Sequence, residues 1–416
     1  MDTHERSITL PGGFRAAGVA CGIKESGKPD LMLLVSDGPC TAAGTFTRNA
    51  IVGAAVVVGR RNLVERGGEG FRAVVCNSGN ANVVRIGPDG LADAEAMCAA
   101  AAEVAGCAPS AVLPASTGII GRKLPMQKVL DGVADAAGEL AAGPEADRAA
   151  ADAILTTDLT RKAATRVVEL PGSGVTVTLG GVAKGSGMIA PAMEPPTATM
   201  LAFLTTDAAV SAGVLQAVLT RATATSFNRI SVDSDTSTSD TAYLLASGAA
   251  GNPEITDPGS ADAAALAAAV GELCSELAEA IARDGEGMTK LIRVRVEGAA
   301  DEADADRVGR ALCDSPLVKC AVHGGDPNWG RFVMAVGKSG ARVDGTRLRV
   351  TLGGHPVFTD GVPIDMDEAA EETLTAALAG DEVCIGVDLR AGDASADWLG
   401  CDLSRAYIAI NADYRT

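Results

Sequence analysis

Short apolar runs of strand length alternate along the chain with longer Ala-rich segments whose apolar residues recur every three or four positions. The runs at 31–35, 54–58, 72–76 and 175–179 predict strands in the first half. Residues 292–297 alternate as Ile-Arg-Val-Arg-Val-Glu, the pattern of a strand with one buried and one wet face. Residues 346–352 and 383–389 have the same character. Helices are expected at 92–105, at 145–155 behind Pro144, at 262–283, and at 367–379 before Gly380. In the third of these Leu266, Val270, Leu273, Leu277 and Ile281 share one face, and Gly285 follows its end. The Pro171-Gly172-Ser173-Gly174 and Gly251-Asn252-Pro253 segments read as turns, and no fixed-period repeat is visible. The mixture predicts an α/β fold built in layers.

Composition sharpens this picture. A chain of 416 residues suits one large or two medium domains and needs no disulfide or metal staple. It holds 49 glycines but only two tryptophans, three tyrosines and seven phenylalanines, so its core is built from Ala, Val, Leu and Ile at close backbone approach. The net charge of −18 disfavours nucleic-acid and anionic-membrane partners. No uncharged apolar stretch is long enough for a spanning helix. The opening Met1-Asp2-Thr3-His4-Glu5-Arg6 lacks a basic segment leading into an apolar run, so no secretory signal is expected and a cytoplasmic location follows. The ten cysteines form no Cys-x-x-Cys pair, and Cys76 and Cys384, inside apolar runs, read as small buried hydrophobes.

Histidine chemistry is poorly served: His4, His323 and His355 have neither zinc-ligand spacing nor a paired nucleophile, and no metal is expected. Lys184-Gly185-Ser186-Gly187 has the lysine on the wrong side for a phosphate loop. Asp233, Asp235 and Asp240 lack the glycine and terminal glutamate of a calcium loop. What remains is Thr, Ser and Gly in compact clusters: Ser116-Thr117-Gly118, Thr156-Thr157-Asp158, Lys184 to Met188, and Ala198-Thr199-Met200-Leu201. Without histidine, a hydroxyl can be activated by making its residue a chain N-terminus. A free α-amine has a pKa of about 7.7–8.0, so about a tenth or more is neutral at pH 7 and can take the hydroxyl proton.

These clusters, with Asn77-Ser78-Gly79-Asn80-Ala81-Asn82, Ser226-Phe227-Asn228-Arg229, Asp284-Gly285-Glu286-Gly287, Ser315-Pro316-Leu317-Val318-Lys319, Asp326-Pro327-Asn328-Trp329-Gly330-Arg331 and Asn411-Ala412-Asp413-Tyr414, run nearly the whole length. In this order they resemble the ornithine acetyltransferase (bifunctional glutamate N-acetyltransferase) family of arginine biosynthesis. The resemblance implies an α/β/β/α sandwich related to autocleaving aminopeptidases. It implies self-cleavage between Ala198 and Thr199 into an α chain (1–198) and a β chain (199–416), interleaved in one fold and assembled as α2β2. Thr199 would then be the nucleophile, carrying acetyl from N2-acetylornithine to glutamate, with its own α-amine as base. Thr117 and Gly118 correspond to the oxyanion hole, and Thr156, Thr157, Lys184, Thr199, Glu286, Asn411 and Thr416 to substrate contacts. Lys184 and Glu286 suit the carboxylate and the amine of an amino acid. Acetyl-CoA serves as a second acetyl donor only in the family's bifunctional members.

The chain departs from the family pattern at Glu194-Pro195-Pro196-Thr197, inserted just before Ala198-Thr199. Two prolines there fix φ and remove two amide donors close to the bond to be cut. Arg415 stands where a threonine is common. Two rival readings follow: a hydrolase of N-acyl amino acids or peptides, in which water intercepts the acyl-enzyme, and an uncleaved, catalytically silent ligand-binding relative.

Overall fold

The computed structural model describes residues 7–83, 88–190, 200–365 and 367–413. The first half runs β1 (Phe14–Val19), β2 (Leu31–Phe46), α1 (Ala54–Arg66), β3 (Phe71–Asn77), α2 (Pro88–Ala105), β4 (Val112–Ser116), α3 (Met126–Glu139), α4 (Pro144–Ile154), β5 (Lys162–Glu169) and β6 (Thr176–Lys184). The second half begins β7 (Leu201–Thr206), α5 (Ala212–Thr225), β8 (Ile230–Ser231), β9 (Thr241–Ala246), α6 (Ala261–Ala282), β10 (Leu291–Ala299), α7 (Glu302–Cys313), α8 (Pro316–Gly324) and α9 (Trp329–Gly337). It ends β11 (Arg349–Leu352), β12 (His355–Thr359), β13 (Val362–Pro363), α10 (Glu368–Leu378), β14 (Glu382–Asp388), β15 (Ala394–Cys401) and α11 (Arg405–Asp413).

Among the described residues these strands form two mixed sheets, so the expected layered α/β class is what the chain adopts. The first has the order β4-β3-β2-β9-β7-β6-β5, with β1 also on β2. Strands from both halves interleave in it, β6 pairing with β7 and β2 with β9. Alternate side chains of β7 enter different cores. Leu201 and Phe203 pack with Tyr243 and α4, whereas Ala202 and Leu204 pack under α5 and α6. Burial on both faces is why this strand reads as an unbroken apolar run.

The second sheet, β13-β12-β11-β14-β10-β15-β8, is covered on one face. Ile292, Val294 and Val296 of β10 pack with residues of α7, α8 and α9, while Arg293 and Arg295 on the wet face pair with Glu382 and Asp397. This is the one-sided burial that the alternating hexapeptide predicts. The expected strand at 54–58 is instead the first turns of α1, which packs on β4 and ends at Gly67 with φ +60°. A five-residue Ala/Val run has no periodicity that separates a strand from a helix buried on most sides, and here Ala54, Ala55, Val56 and Val58 are all buried. Strand β11 starts only at Arg349, because Thr346 and Arg347 lie in a turn capped by Asp344.

All ten cysteines are free thiols. Cys76 is fully buried, which pushes its thiol up to about 12. Cys384 is exposed, against expectation: Val383 and Ile385 take the inward positions of β14 and the pleat turns Cys384 outward.

Candidate active site

The ends of β4 and β6, the loops after α4 and α6, and α11 converge on a cavity of about 380 Å³. Small-molecule sites usually span roughly 300–1,000 Å³. Seven sequence-predicted residues line this one cavity: Thr117, Gly118, Thr156, Thr157, Lys184, Glu286 and Asn411. Ala198, Thr199 and Thr416, together with the 194–197 insertion, lie outside the described residues. The chain re-enters at Met200, whose carbonyl accepts from Thr241 N–H, and Leu201 then pairs with Lys184 across β6–β7.

The Thr117–Gly118 turn is set by the parallel pair β3–β4. Asn77 and Ser116 end the two strands opposite each other, with Ser116 Oγ donating to Asn77 Oδ1 at 2.7 Å. Thr117 N–H donates to Asn77 O at 3.1 Å, so the donor that Thr117 can offer a ligand is its hydroxyl. Gly118 has φ +126°, and a Cβ there would sit 2.4 Å from Gly79 C and 2.6 Å from Asn80 N. Only glycine fits this crossing. Among the described residues the Gly118 N–H has no acceptor.

Four buried charges hold the next part of the site. Asp158 and Lys162 have fully buried side chains, with Lys162 Nζ 2.7 Å from Asp158 Oδ1 and 2.6 Å from Asp284 Oδ2. Lys184 Nζ lies 4.0 Å from Asp158 Oδ2. Asp158 also accepts from Thr156 N–H at 3.0 Å and Gly185 N–H at 2.7 Å. Burial alone would raise the Asp158 carboxyl, but the Lys184 and Lys162 ammoniums beside it win and hold it well below the usual carboxylate range. Asp284 accepts from Leu159 N–H and Thr160 N–H at 3.0 and 3.2 Å, and its carbonyl accepts from Ser186 Oγ at 2.7 Å. Glu286 N–H then donates to Ser186 O at 3.0 Å. One ion network thus fixes the segments presenting Thr156, Lys184 and Glu286.

Glu286 projects beside Gly187, where a Cβ would lie 2.4 Å from the glutamate carboxyl. Asn411 on α11 donates to Glu286 Oε2 at 2.9 Å. The same helix places Tyr407, whose hydroxyl donates to Asp233 at 3.3 Å; burial and that carboxylate push the phenol up. Asp233 accepts the N–H groups of Met188 and Ile189 at 2.6 and 2.8 Å, holding Met188 at φ +57° on the cavity wall. Such a backbone for a non-glycine residue is a mark of functional sites. The 231–240 run therefore serves partly as a wall: Ser237, Thr238 and Ser239 also line the cavity. Among the described residues no three His, Cys, Asp or Glu side chains converge on a metal position.

Sequence reasoning missed Lys162, Ser237 to Ser239, and Ile410 at the rim. Lys162 gave a faint signal, a lysine four residues beyond Asp158 at the mouth of a strand. Chemically, the cavity offers a hydroxyl and an N–H at one end, a buried ammonium at its side, and a carboxylate braced by an amide. That set suits a zwitterion with an acyl group.

The ArgJ family model matches residues 15–416. The chain is 49% identical over 418 residues to the arginine biosynthesis bifunctional protein ArgJ of Symbiobacterium thermophilum, covering 100% of both. It is 44% identical over 411 residues to the protein of that name from Deinococcus radiodurans, covering 98% of each. A crystal structure of arginine biosynthesis bifunctional protein ArgJ from Bacillus halodurans aligns at 41% identity over 50% of this chain and 97% of that one, with a TM-score of 0.48. Ornithine acetyltransferase from Mycobacterium tuberculosis, solved in complex with ornithine, aligns at 42% identity over 45% of this chain and 96% of that one, with a TM-score of 0.41. Matched across its length, this chain is a member of the ArgJ family.

Proposed function

We propose that the protein transfers an acetyl group from N2-acetylornithine to glutamate through an acetyl-Thr199 intermediate. The observation that carries this reading is the convergence of seven sequence-predicted residues, drawn from positions 117 to 411, on one cavity. In the proposal the chain first cuts itself between Ala198 and Thr199, and the α (1–198) and β (199–416) chains remain together in an α2β2 assembly. Their strands already interleave in one sheet, which supports a cut that leaves the fold intact. Before the cut the nitrogen of Thr199 is an amide and cannot act as base.

After the cut, the α-amine of Thr199 takes the proton of Thr199 Oγ as that oxygen attacks the acetyl carbonyl. The Thr117 hydroxyl and the Gly118 N–H receive the developing oxyanion, a pairing worth about 3–4 kcal/mol per donor. The C–N bond breaks, the proton passes to the leaving ornithine nitrogen, and acetyl remains on Thr199. Glutamate's α-amine then attacks the ester and regenerates the threonine. Lys184 takes the substrate carboxylate and Glu286 its ammonium, with Thr156, Thr157, Asn411 and Thr416 completing the contacts. The protein works in the cytoplasm, and acetyl-CoA is a second donor if the chain is bifunctional, as its relatives are named.

Incubation with N2-[acetyl-14C]ornithine tests the transfer. Label recovered in N-acetylglutamate, dependent on added glutamate, is the expected result. Label released as acetate regardless of glutamate would replace the transferase by a hydrolase.

A further inference from the structure

A groove of about 680 Å³ runs between the end of β2, α1 and α5, and it shares no lining residue with the catalytic cavity. Its charge contradicts that of the whole molecule. The chain carries −18, yet no acid lines this groove, whereas Arg48 and Arg60 do. Among the described residues neither arginine sits in an ion pair. Arg60 is half-buried, its guanidinium 5.5 Å from the Phe46 ring centroid and its Nη2 donating to Thr47 O at 2.5 Å. Burial lowers the pKa of this guanidinium, opposed only by Tyr243 and by no carboxylate. Taking a charge out of water without a counter-ion is costly, so an anion beside Arg60 supplies what the fold does not.

The rest of the lining narrows the chemistry of a ligand. The Gln216 carboxamide is spent on the backbone of β2, accepting from Gly44 N–H and donating to Gly44 O, both at 3.1 Å. Asn49 is spent as well: its Nδ2 donates to Thr236 O and its Oδ1 accepts Ile51 N–H, both at 2.9 Å. Thr47 Oγ donates to Ser237 O. What remains for a ligand is two guanidiniums and the apolar surface of Phe46, Leu63 and Val64, the last 81% exposed. A zwitterionic amino acid would find no carboxylate here for its ammonium. A carboxylate with an apolar body matches both parts, its charge on the planar arginine forks.

The loop that builds this groove also builds the catalytic cavity. Thr47 N–H donates to Asp240 O at 3.2 Å and Gly53 N–H to Thr238 O at 2.8 Å, with Asn49 on Thr236 between them. Residues 47–53 thus carry the groove on one side and the wall of Ser237 to Ser239 on the other.

We propose that this groove binds an organic carboxylate with an apolar body, its charge held by Arg48 and Arg60, and that occupancy acts on the catalytic cavity through the 47–53 loop. Only the second half rests on the transfer function proposed above.

Calorimetric titration of the purified protein with 4-phenylbutyrate, beside its uncharged amide, tests the site. The carboxylate should bind about tenfold or more tightly than the amide. Its affinity should drop by a similar factor in Arg60→Met and in Val64→Glu, and should fall with added salt. Val64→Glu changes one exposed side chain and spares the fold, so it decides the matter even where Arg60→Met disturbs Thr47. Coupling is reciprocal, so saturating N2-acetylornithine, itself titrated separately, should change the affinity for phenylbutyrate about fivefold or more. No binding, or equal binding of the amide or by the variants, overturns the site. Phenylbutyrate binding indifferent to bound N2-acetylornithine overturns the coupling. A Val64→Glu protein that loses phenylbutyrate and its oligomeric state together makes the groove an interface between copies and overturns the ligand reading. Wild type that binds phenylbutyrate but not N2-acetylornithine would sink the transfer function and leave the groove standing.

Discussion

The Lys162 ammonium sits 2.6 Å from Asp284 and 2.7 Å from Asp158, with no solvent reaching its side chain. Lys162 and Asp284 lie 122 residues apart in sequence, and the one cation joins the loop after α4 to the loop after α6. One follows α4 and presents Thr156 and Thr157; the other follows α6 and presents Glu286. Lysine here is a positioning residue that touches no cavity atom itself.

Removing that cation leaves two buried carboxylates facing each other. Lys162→Met should cost about 3–5 kcal/mol, the usual penalty for stranding a buried charge. Urea unfolding would show this as a lowered midpoint at unchanged slope. A midpoint equal to wild type would mean that the network holds nothing together.

Acid should act on the same network. The folded-state pKa of Asp158 is depressed, so the stability it contributes is fully present above its unfolded value of about 3.9 and is lost as pH falls further. Unfolding midpoints measured from pH 3 to pH 8 should therefore stay level from pH 5 upward, as far as this group is concerned, and drop below about pH 4. In Asp158→Asn that acid-driven drop should shrink. A wild-type profile falling most steeply between pH 6 and 7 would assign the sensitivity to other groups.

Two glycines separate fold from function. Gly118→Ala forces a Cβ into the Gly79–Asn80 backbone at φ +126°, so it should destabilise the protein by about 1–3 kcal/mol. Gly187→Ala meets only the flexible end of Glu286, which can swing away. It should leave the unfolding midpoint within about 1 kcal/mol of wild type while raising the KM for amino-acid substrates. Equal stability losses in the two variants would show that Glu286 cannot move.

Thr117→Val keeps the shape of the side chain and deletes the hydroxyl proposed to face the oxyanion. By analogy with removal of other oxyanion donors, kcat should fall about 10²–10³-fold with KM little changed. Steady-state kinetics with N2-acetylornithine and glutamate would decide it, and an unaltered kcat would remove Thr117 from that role.

Much of this molecule is legible in its amino-acid sequence. The alternation at 292–297 reports a one-sided sheet because Arg293 and Arg295 do face water. The α6 stripe from Leu266 to Ile281 is buried as its spacing requires. The segment 54–58 misleads because β-branched residues in a helix buried on several sides look like a strand, and Cys384 misleads because an apolar neighbourhood does not say which way a pleat points. The cavity residues are named through the family resemblance that the ordered short motifs carry; local sequence alone leaves Lys184 and Glu286 indistinguishable from surface charges. Lys162 stays hidden in the sequence because its meaning lies in Asp284, a partner brought to it only by the fold.

The central claim is that Thr199 becomes a chain N-terminus and the nucleophile. The denatured intact mass of the purified protein, measured beside Thr199→Ala, tests it most directly. Two chains summing to the 41.7 kDa precursor and one water, with the junction at Ala198/Thr199, are expected for wild type, and one uncut chain for the variant. A wild-type protein that remains a single chain yet transfers acetyl to glutamate would contradict the mechanism, because its Thr199 would have no α-amine to act as base.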